Sequence, residues 1–200
     1  MAGGRATLSP ERSDEHLCRP GSFNRPWSAS STGLQKAVVA RVGEYEIRRC
    51  DRCDVPAVIQ INEEALPEHY SDYFYYDILA EFPESFLVAE IDGGVIGYVM
   101  GRMEYGFSHI RKLGLARKGH IVSVAVKEPH RGKGVGSLLV KTAHEAMAAR
   151  GGTECYLEVR VSNAEAINLY QRLGYKTSGR MEGYYKDGEA ALVMVTPLEK

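Results

Sequence analysis

The chain has 200 residues, 44% apolar and 26% charged, which suits one globular domain with or without a tail. Twenty-five Lys and Arg stand against 26 Asp and Glu, a formal net charge of −1, so no global field draws it to nucleic acid or to an anionic membrane. No apolar stretch has the length of a transmembrane helix and no secretory core opens the chain. A cytoplasmic protein with no membrane partner and no direct nucleic-acid partner is expected.

Residues 1–36 contain four Gly, three Pro and six Ser, with Leu8, Leu17 and Leu34 as the only leucines. So little apolar area cannot offset the entropy of folding, which predicts a disordered or loosely packed tail around the single tryptophan, Trp27. From about residue 43 to 198 the pattern is that of a compact α/β domain. Tyr45–Arg49 alternates like a short strand. Asp51 or Asp54 is placed to cap a helix carrying Val55, Val58, Ile59 and Ile61. A second helix is predicted over Asp72–Glu81, before Pro83. Phe86–Ile91 and Val95–Glu104 make a hairpin across Asp92-Gly93-Gly94. Residues 107–118 read as a basic, glycine-containing loop, and His120–Val126 as a strand buried on both faces. A helix with one buried face follows over about 134–149, then a strand at Cys155–Val161. Ser162-Asn163-Ala164-Glu165 has the form of a capping box opening a last helix, which Leu173-Gly174 closes. Strands at about 175–180 and 189–196 end the domain. This order predicts the α/β (α+β) class, with a mixed central sheet of about seven strands flanked by about four helices.

The cysteines are Cys18, Cys50, Cys53 and Cys155. A structural zinc site needs a second pair beside the lone Cys50-x-x-Cys53, and none exists; incidental thiols ahead of a helix are expected. The most specific local signal is Arg131-Gly132-Lys133-Gly134-Val135-Gly136-Ser137, between a buried strand and a helix. Glycines let a ligand approach the backbone, and the helix N-terminus offers free N–H groups and partial positive charge. A phosphate or pyrophosphate fits such a site. No Lys-Ser or Lys-Thr follows the last glycine, against a P-loop, and the G-x-G-x-G spacing departs from the dinucleotide fingerprint.

Arg131-x-x-Gly134-x-Gly136 resembles the pyrophosphate-binding loop of the GNAT superfamily of acetyl-CoA-dependent N-acetyltransferases. Asn163 followed by Tyr170 sits where that family has its second cofactor motif. Leu66-Pro67-Glu68-His69-Tyr70, Arg117–Ser123, Tyr156–Arg160 and Gly183–Gly188 look like the catalytic subunits of N-terminal acetyltransferase A and their stand-alone archaeal relatives. The resemblance implies acetylation of the α-amino group of nascent or mature polypeptides. The substrates would begin with Ser, Ala, Thr or Gly after Met removal, with Met-starting chains as a further class. It implies work near the ribosome, by a monomer or beside an auxiliary subunit. The same superfamily also holds acetyltransferases for lysine side chains, small amines or one ribosomal protein. A non-catalytic CoA-binding module is the alternative from a different class.

The resemblance also assigns residues. Gly132–Ser137 with Arg131 would cradle the pyrophosphate of acetyl-CoA, and Val124, Ala125 and Val126 would pair with its pantetheine arm. Asn163 would hold the arm or the strand end. Acetylation needs a neutral amine, donors for the oxyanion and a proton for the thiolate. Glu68 and His120 are both candidates for the base, the latter with a hydrogen-bonded core histidine as the alternative reading. A backbone N–H near Val124 would serve the oxyanion. Tyr170 is the candidate acid, or else a core tyrosine. Leu66, Pro67, Glu68, Tyr70, Tyr184 and Tyr185 would line the peptide groove. Glu158 would meet His120 across the sheet, but two ligands make a poor zinc site, so no metal is expected.

Overall fold

The computed structural model describes residues 37–111 and 114–199, so the expected tail lies outside the described residues. The strands are β1 (Val38–Val42), β2 (Tyr45–Arg49), β3 (Phe86–Ile91), β4 (Gly94–Phe107), β5 (Leu115–Val126), β6 (Glu154–Arg160), β7 (Lys176–Met181) and β8 (Ala191–Pro197). The helices are α1 (Val55–Ala65), α2 (Asp72–Glu81), α3 (Val135–Ala149) and α4 (Ala164–Arg172). All eight strands form one sheet in the order β1-β2-β3-β4-β5-β6-β8-β7. Neighbours pair antiparallel except β5 and β6, the two strands joined through α3. Among the described residues no helix is long and apolar enough to cross a membrane.

Each face of the sheet buries its own core. Val55, Val58 and Ile61 of α1 and Tyr75 and Ile78 of α2 pack on Phe86, Val88, Tyr98, Met100 and Ala125. On the other face Leu139, Val140, Ala143 and Met147 of α3 and Tyr170 of α4 pack on Leu87, Val99, Ile121 and Leu157.

Three local expectations change. The sheet has an eighth strand, β1, an edge strand with alternating exposure that falls between the expected tail and the expected domain and was assigned to neither. The segment read as a loop over 107–118 is strand at both ends, Phe107 and Leu115–Lys118, where it extends a hairpin: Phe107 pairs with Leu115, Gly106 with Ala116 and Tyr105 with Arg117. Alternation survives there, with Tyr105 and Phe107 outward, and the basic residues disguised it. The caps also differ. Asp54 occupies the N-cap of α1 without a side-chain cap bond; its carboxylate is taken by Arg48 at 2.5 and 2.9 Å. At α4 the cap is Asn163, whose side chain accepts from the Ala166 N–H at 3.0 Å, one residue later than a box starting at Ser162 requires.

Candidate active site

Between β5 and β6 the ladder stops early. The strands pair at Lys118–Glu154, Gly119–Cys155 and His120–Tyr156 and no further, although β5 runs on to Val126. Val122 is also a bulge: Met100 opposes Ser123 while Gly101 opposes Ile121. The extra residue lets Val122 pack toward α1 and α2 beside Ser123, which bonds Tyr98, while Ile121 and Val124 pack toward α3. Bulges of this kind re-aim side chains at the ends of ladders.

The slot so opened holds a cavity of about 490 Å³. Ala65 and Leu66 line it from the end of α1, Val124–Val126 from β5, and Arg131, Gly132, Gly134, Gly136 and Ser137 from the turn before α3. Asn163, Leu169 and Tyr170 close it from α4. Gly132 and Gly134 have φ of 72° and 84°, a left-handed backbone that costs other residues energy. Gly134 is the N-cap of α3. A Cβ at Gly136 would point between Leu169 and Val126, at 3.8 and 3.9 Å, so a larger residue would fill the cradle instead of a ligand. Cradle, helix N-terminus and strand edge fit a CoA pyrophosphate and pantetheine arm.

Two of the residues expected to bind cofactor lie elsewhere. Val135 is core, 1% exposed, and only its backbone belongs to the turn. Lys133 is exposed and outside the lining. Arg131 does border the cavity, but its Nε donates to the Val126 carbonyl at 2.8 Å, tying turn to strand.

The other end of the slot is acidic and aromatic. Arg160, at the end of β6, donates to Glu68 Oε1 from Nε at 3.0 Å and Nη2 at 2.5 Å. Its Nη1 reaches Asp187 at 2.7 Å and Glu189 at 2.6 Å, and its Cζ lies 4.0 Å from the centre of the Tyr185 ring. One guanidinium therefore joins the α1–α2 loop to the β7–β8 loop. Both Glu68 contacts fall on Oε1, and no described residue hydrogen-bonds Oε2. Tyr70 stacks on Phe74 at 4.9 Å and donates to the Val122 carbonyl at 3.2 Å, satisfying the bulge. Burial, then Tyr98, Tyr184, Glu68 and Glu158, push its pKa up to about 12. Tyr184 is 44% exposed and lies edge-on to Tyr185 at 5.0 Å. Leu66 lines the cavity; Pro67 does not.

His120 sits where β5 and β6 last touch. Its Nε2 is 2.8 Å from Glu158 Oε2 and its Nδ1 3.3 Å from Glu104 Oε1. Its ring lies 4.4 Å from that of Tyr156, 9° from parallel. The expected meeting with Glu158 is thus a direct hydrogen bond. Arg160, Glu104 and Tyr156 carried no assignment in the sequence reading; the signal was there as charged or hydroxylated residues on otherwise apolar strands.

Tyr170 is 7% exposed, packed 5.6 Å from Tyr175, and it lines the cavity. Burial raises its pKa, with Cys155 adding to the shift, so its proton is retained at neutral pH. Cys155 has no exposed surface, and burial pushes its thiol up to about 12, leaving it protonated and inert as a nucleophile.

The acetyltransferase (GNAT) family model matches residues 55–175. The chain is 48% identical over 157 residues to an N-alpha-acetyltransferase of Sulfurisphaera tokodaii, covering 78% of this chain and 94% of that one. Ard1 from Thermoplasma volcanium superposes with a TM-score of 0.69 at 28% identity, over 79% of this chain and 100% of that one. A chain of the NatC complex bound to Gag peptide and CoA superposes with a TM-score of 0.70 at 27% identity, over 78% and 100%. A family match that spans both lips of the slot, with relatives alike over nearly their whole length, places this chain in the GNAT family of acetyltransferases.

Proposed function

We propose that the protein transfers the acetyl group of acetyl-CoA directly to the α-amino group of polypeptide N-termini. The observation that carries this reading is the two-ended slot. One end is a glycine cradle at a helix N-terminus; the other gathers Glu68, Glu158, Tyr70 and Tyr184 around the entrance between two loops. Carboxylates and phenols there attract and orient an ammonium group. The names of the relatives, N-alpha-acetyltransferase among them, support the same reading.

Acetyl-CoA supplies the activated thioester. The chain does the rest. An α-amino group with pKa near 7.7–8.0 needs modest help to lose its proton. Glu68 Oε2 or the His120–Glu158 pair accepts it through a water. The N–H of Val124 faces the developing oxyanion, and Tyr170 returns a proton to the departing sulfur. Arg160 bridges the two loops that form the groove, and Tyr184 and Tyr185 narrow it to an extended N-terminus. Small first residues such as Ser, Ala, Thr or Gly bring the amine near Glu68; Met-starting chains lean more on His120. The enzyme works on nascent or mature chains in the cytoplasm, as a monomer or beside an auxiliary subunit.

The test is incubation with acetyl-CoA and peptides varied at the first two residues, plus one N-blocked peptide containing lysine, read by mass spectrometry. Acetylation confined to free N-termini is expected. Acetylation only of the N-blocked lysine peptide would overturn the substrate assignment and leave the family intact.

A further inference from the structure

We infer that Glu104 fixes a proton on Nδ1 of His120 and that Tyr156 fixes Glu104, so that these two positioning residues confine the exchangeable proton to the His120–Glu158 side, where the peptide lies. This deepens the proposed activity and rests on it.

A neutral imidazole carries one N–H, and the partner of each nitrogen decides which one bears it. Both nitrogens of His120 face carboxylates, but the two carboxylates differ in surroundings. Glu158 is close enough to Tyr70, Tyr184 and Tyr185 to help raise their pKa values, so it faces the peptide groove. Glu104 is instead held by two donors on the sheet. Its Oε1 accepts from Arg102 Nε at 2.6 Å and its Oε2 from the Tyr156 hydroxyl at 2.6 Å. The same Tyr156 ring lies flat on His120, so the imidazole cannot turn over without leaving the stack. His109 covers the far face of Tyr156 at 4.6 Å and Lys118 Nζ lies 4.7 Å from its centre.

The charged and titratable groups around Glu104 are therefore Arg102 from its own strand, Lys118 and His120 from β5, His109 from the β4–β5 turn, and Tyr156 and Glu158 from β6. Burial works to raise the Glu104 pKa, but Tyr156, His120 and Arg102 outweigh it and hold the carboxyl below its ordinary range. Ionised, Glu104 accepts and never donates, which keeps the proton on Nδ1. A base oriented by a third group is a recurring arrangement in proton-transfer sites.

Two variants test the assignment. Glu104→Met keeps the length of the side chain but removes the acceptor from Nδ1, so the imidazole proton is free to settle on the peptide side. Its kcat should fall about 10²-fold, with both KM values little changed. Tyr156→Phe keeps the stack and removes the hydroxyl that donates to Glu104 Oε2, so Glu104 loses one of the two donors that aim it at Nδ1. Its kcat should fall about tenfold, with both KM values little changed. Undiminished kcat in either Tyr156→Phe or Glu104→Met would overturn the inference. The histidine ¹⁵N spectrum of the wild-type chain gives a readout independent of activity: His120 Nδ1 should carry a proton at pH 7 and lose it in Glu104→Met. A bare Nδ1 in wild type overturns the inference too. Wild-type inactivity on every peptide strikes the proposed function, not this network.

Discussion

Arg160 concentrates much of the peptide end in one side chain. It is 15% exposed and holds Glu68, Asp187 and Glu189 at once. Burial works against its charge, but its hydrogen bonds to Glu189, Glu68 and Asp187 outweigh that and raise its pKa further. Removing the charge leaves three carboxylates facing one another and unties both loops. Arg160→Gln should raise peptide KM by about tenfold or more and lower kcat, because a shift of about 1 Å in the bound amine is costly. Acetyl-CoA affinity, measured by calorimetry, should be unchanged, since Arg160 does not line the cavity. A loss confined to acetyl-CoA binding would place Arg160 at the wrong end of the slot.

At the scale of elements, legibility followed the strength of local pattern. The turn from Arg131 to Ser137 was readable because its glycines obey a backbone requirement, a positive φ at Gly132 and Gly134. Gly134→Glu should abolish acetyl-CoA binding in calorimetry: it strains the N-cap and sets a carboxylate where phosphate would sit. Unchanged affinity in a folded variant would discard the cradle. The core strands and all four helices were likewise legible from periodicity. The β1 edge strand was not, because VVARV is short and half exposed. Nor was the reach of the β4–β5 hairpin, whose outward Tyr105 and Phe107 resemble loop aromatics until they are paired. Of the candidate site, residues tied to a backbone device were legible, and so was the His120–Glu158 contact. The role of Arg160 was not, because it depends on three loop positions far apart in sequence. Asp54 misled as a cap because a nearby buried arginine outbid the helix for its carboxylate.

For the molecule as a whole, Arg48 is 4% exposed, and its ion pairs with Asp54 at 2.5 Å and Glu90 at 2.6 Å tie α1 to the sheet. Asp54→Ala leaves much of that buried charge uncompensated and should cost about 3–5 kcal/mol, read as a fall in denaturation midpoint. A loss under about 1 kcal/mol would mean that water replaces the carboxylate.

The sheet is also less continuous than its eight strands suggest. Its two halves, β1–β5 and β6–β8, share three rungs. Such a seam is a perforation, where the molecule parts most cheaply without losing either half. Amide protons of β6 and β8 should then exchange with solvent through openings that leave β2–β4 closed. A ligand touching β5 on one lip and α4 on the other acts as a stitch across the tear. At a hundredfold excess of acetyl-CoA over its Kd, exchange in β6 and β8 should slow by about 10²-fold, with far less change in β2 and β3. Uniform slowing across all eight strands would show that the sheet opens as a single sheet, and that the short seam is closed as firmly as the long ladders beside it.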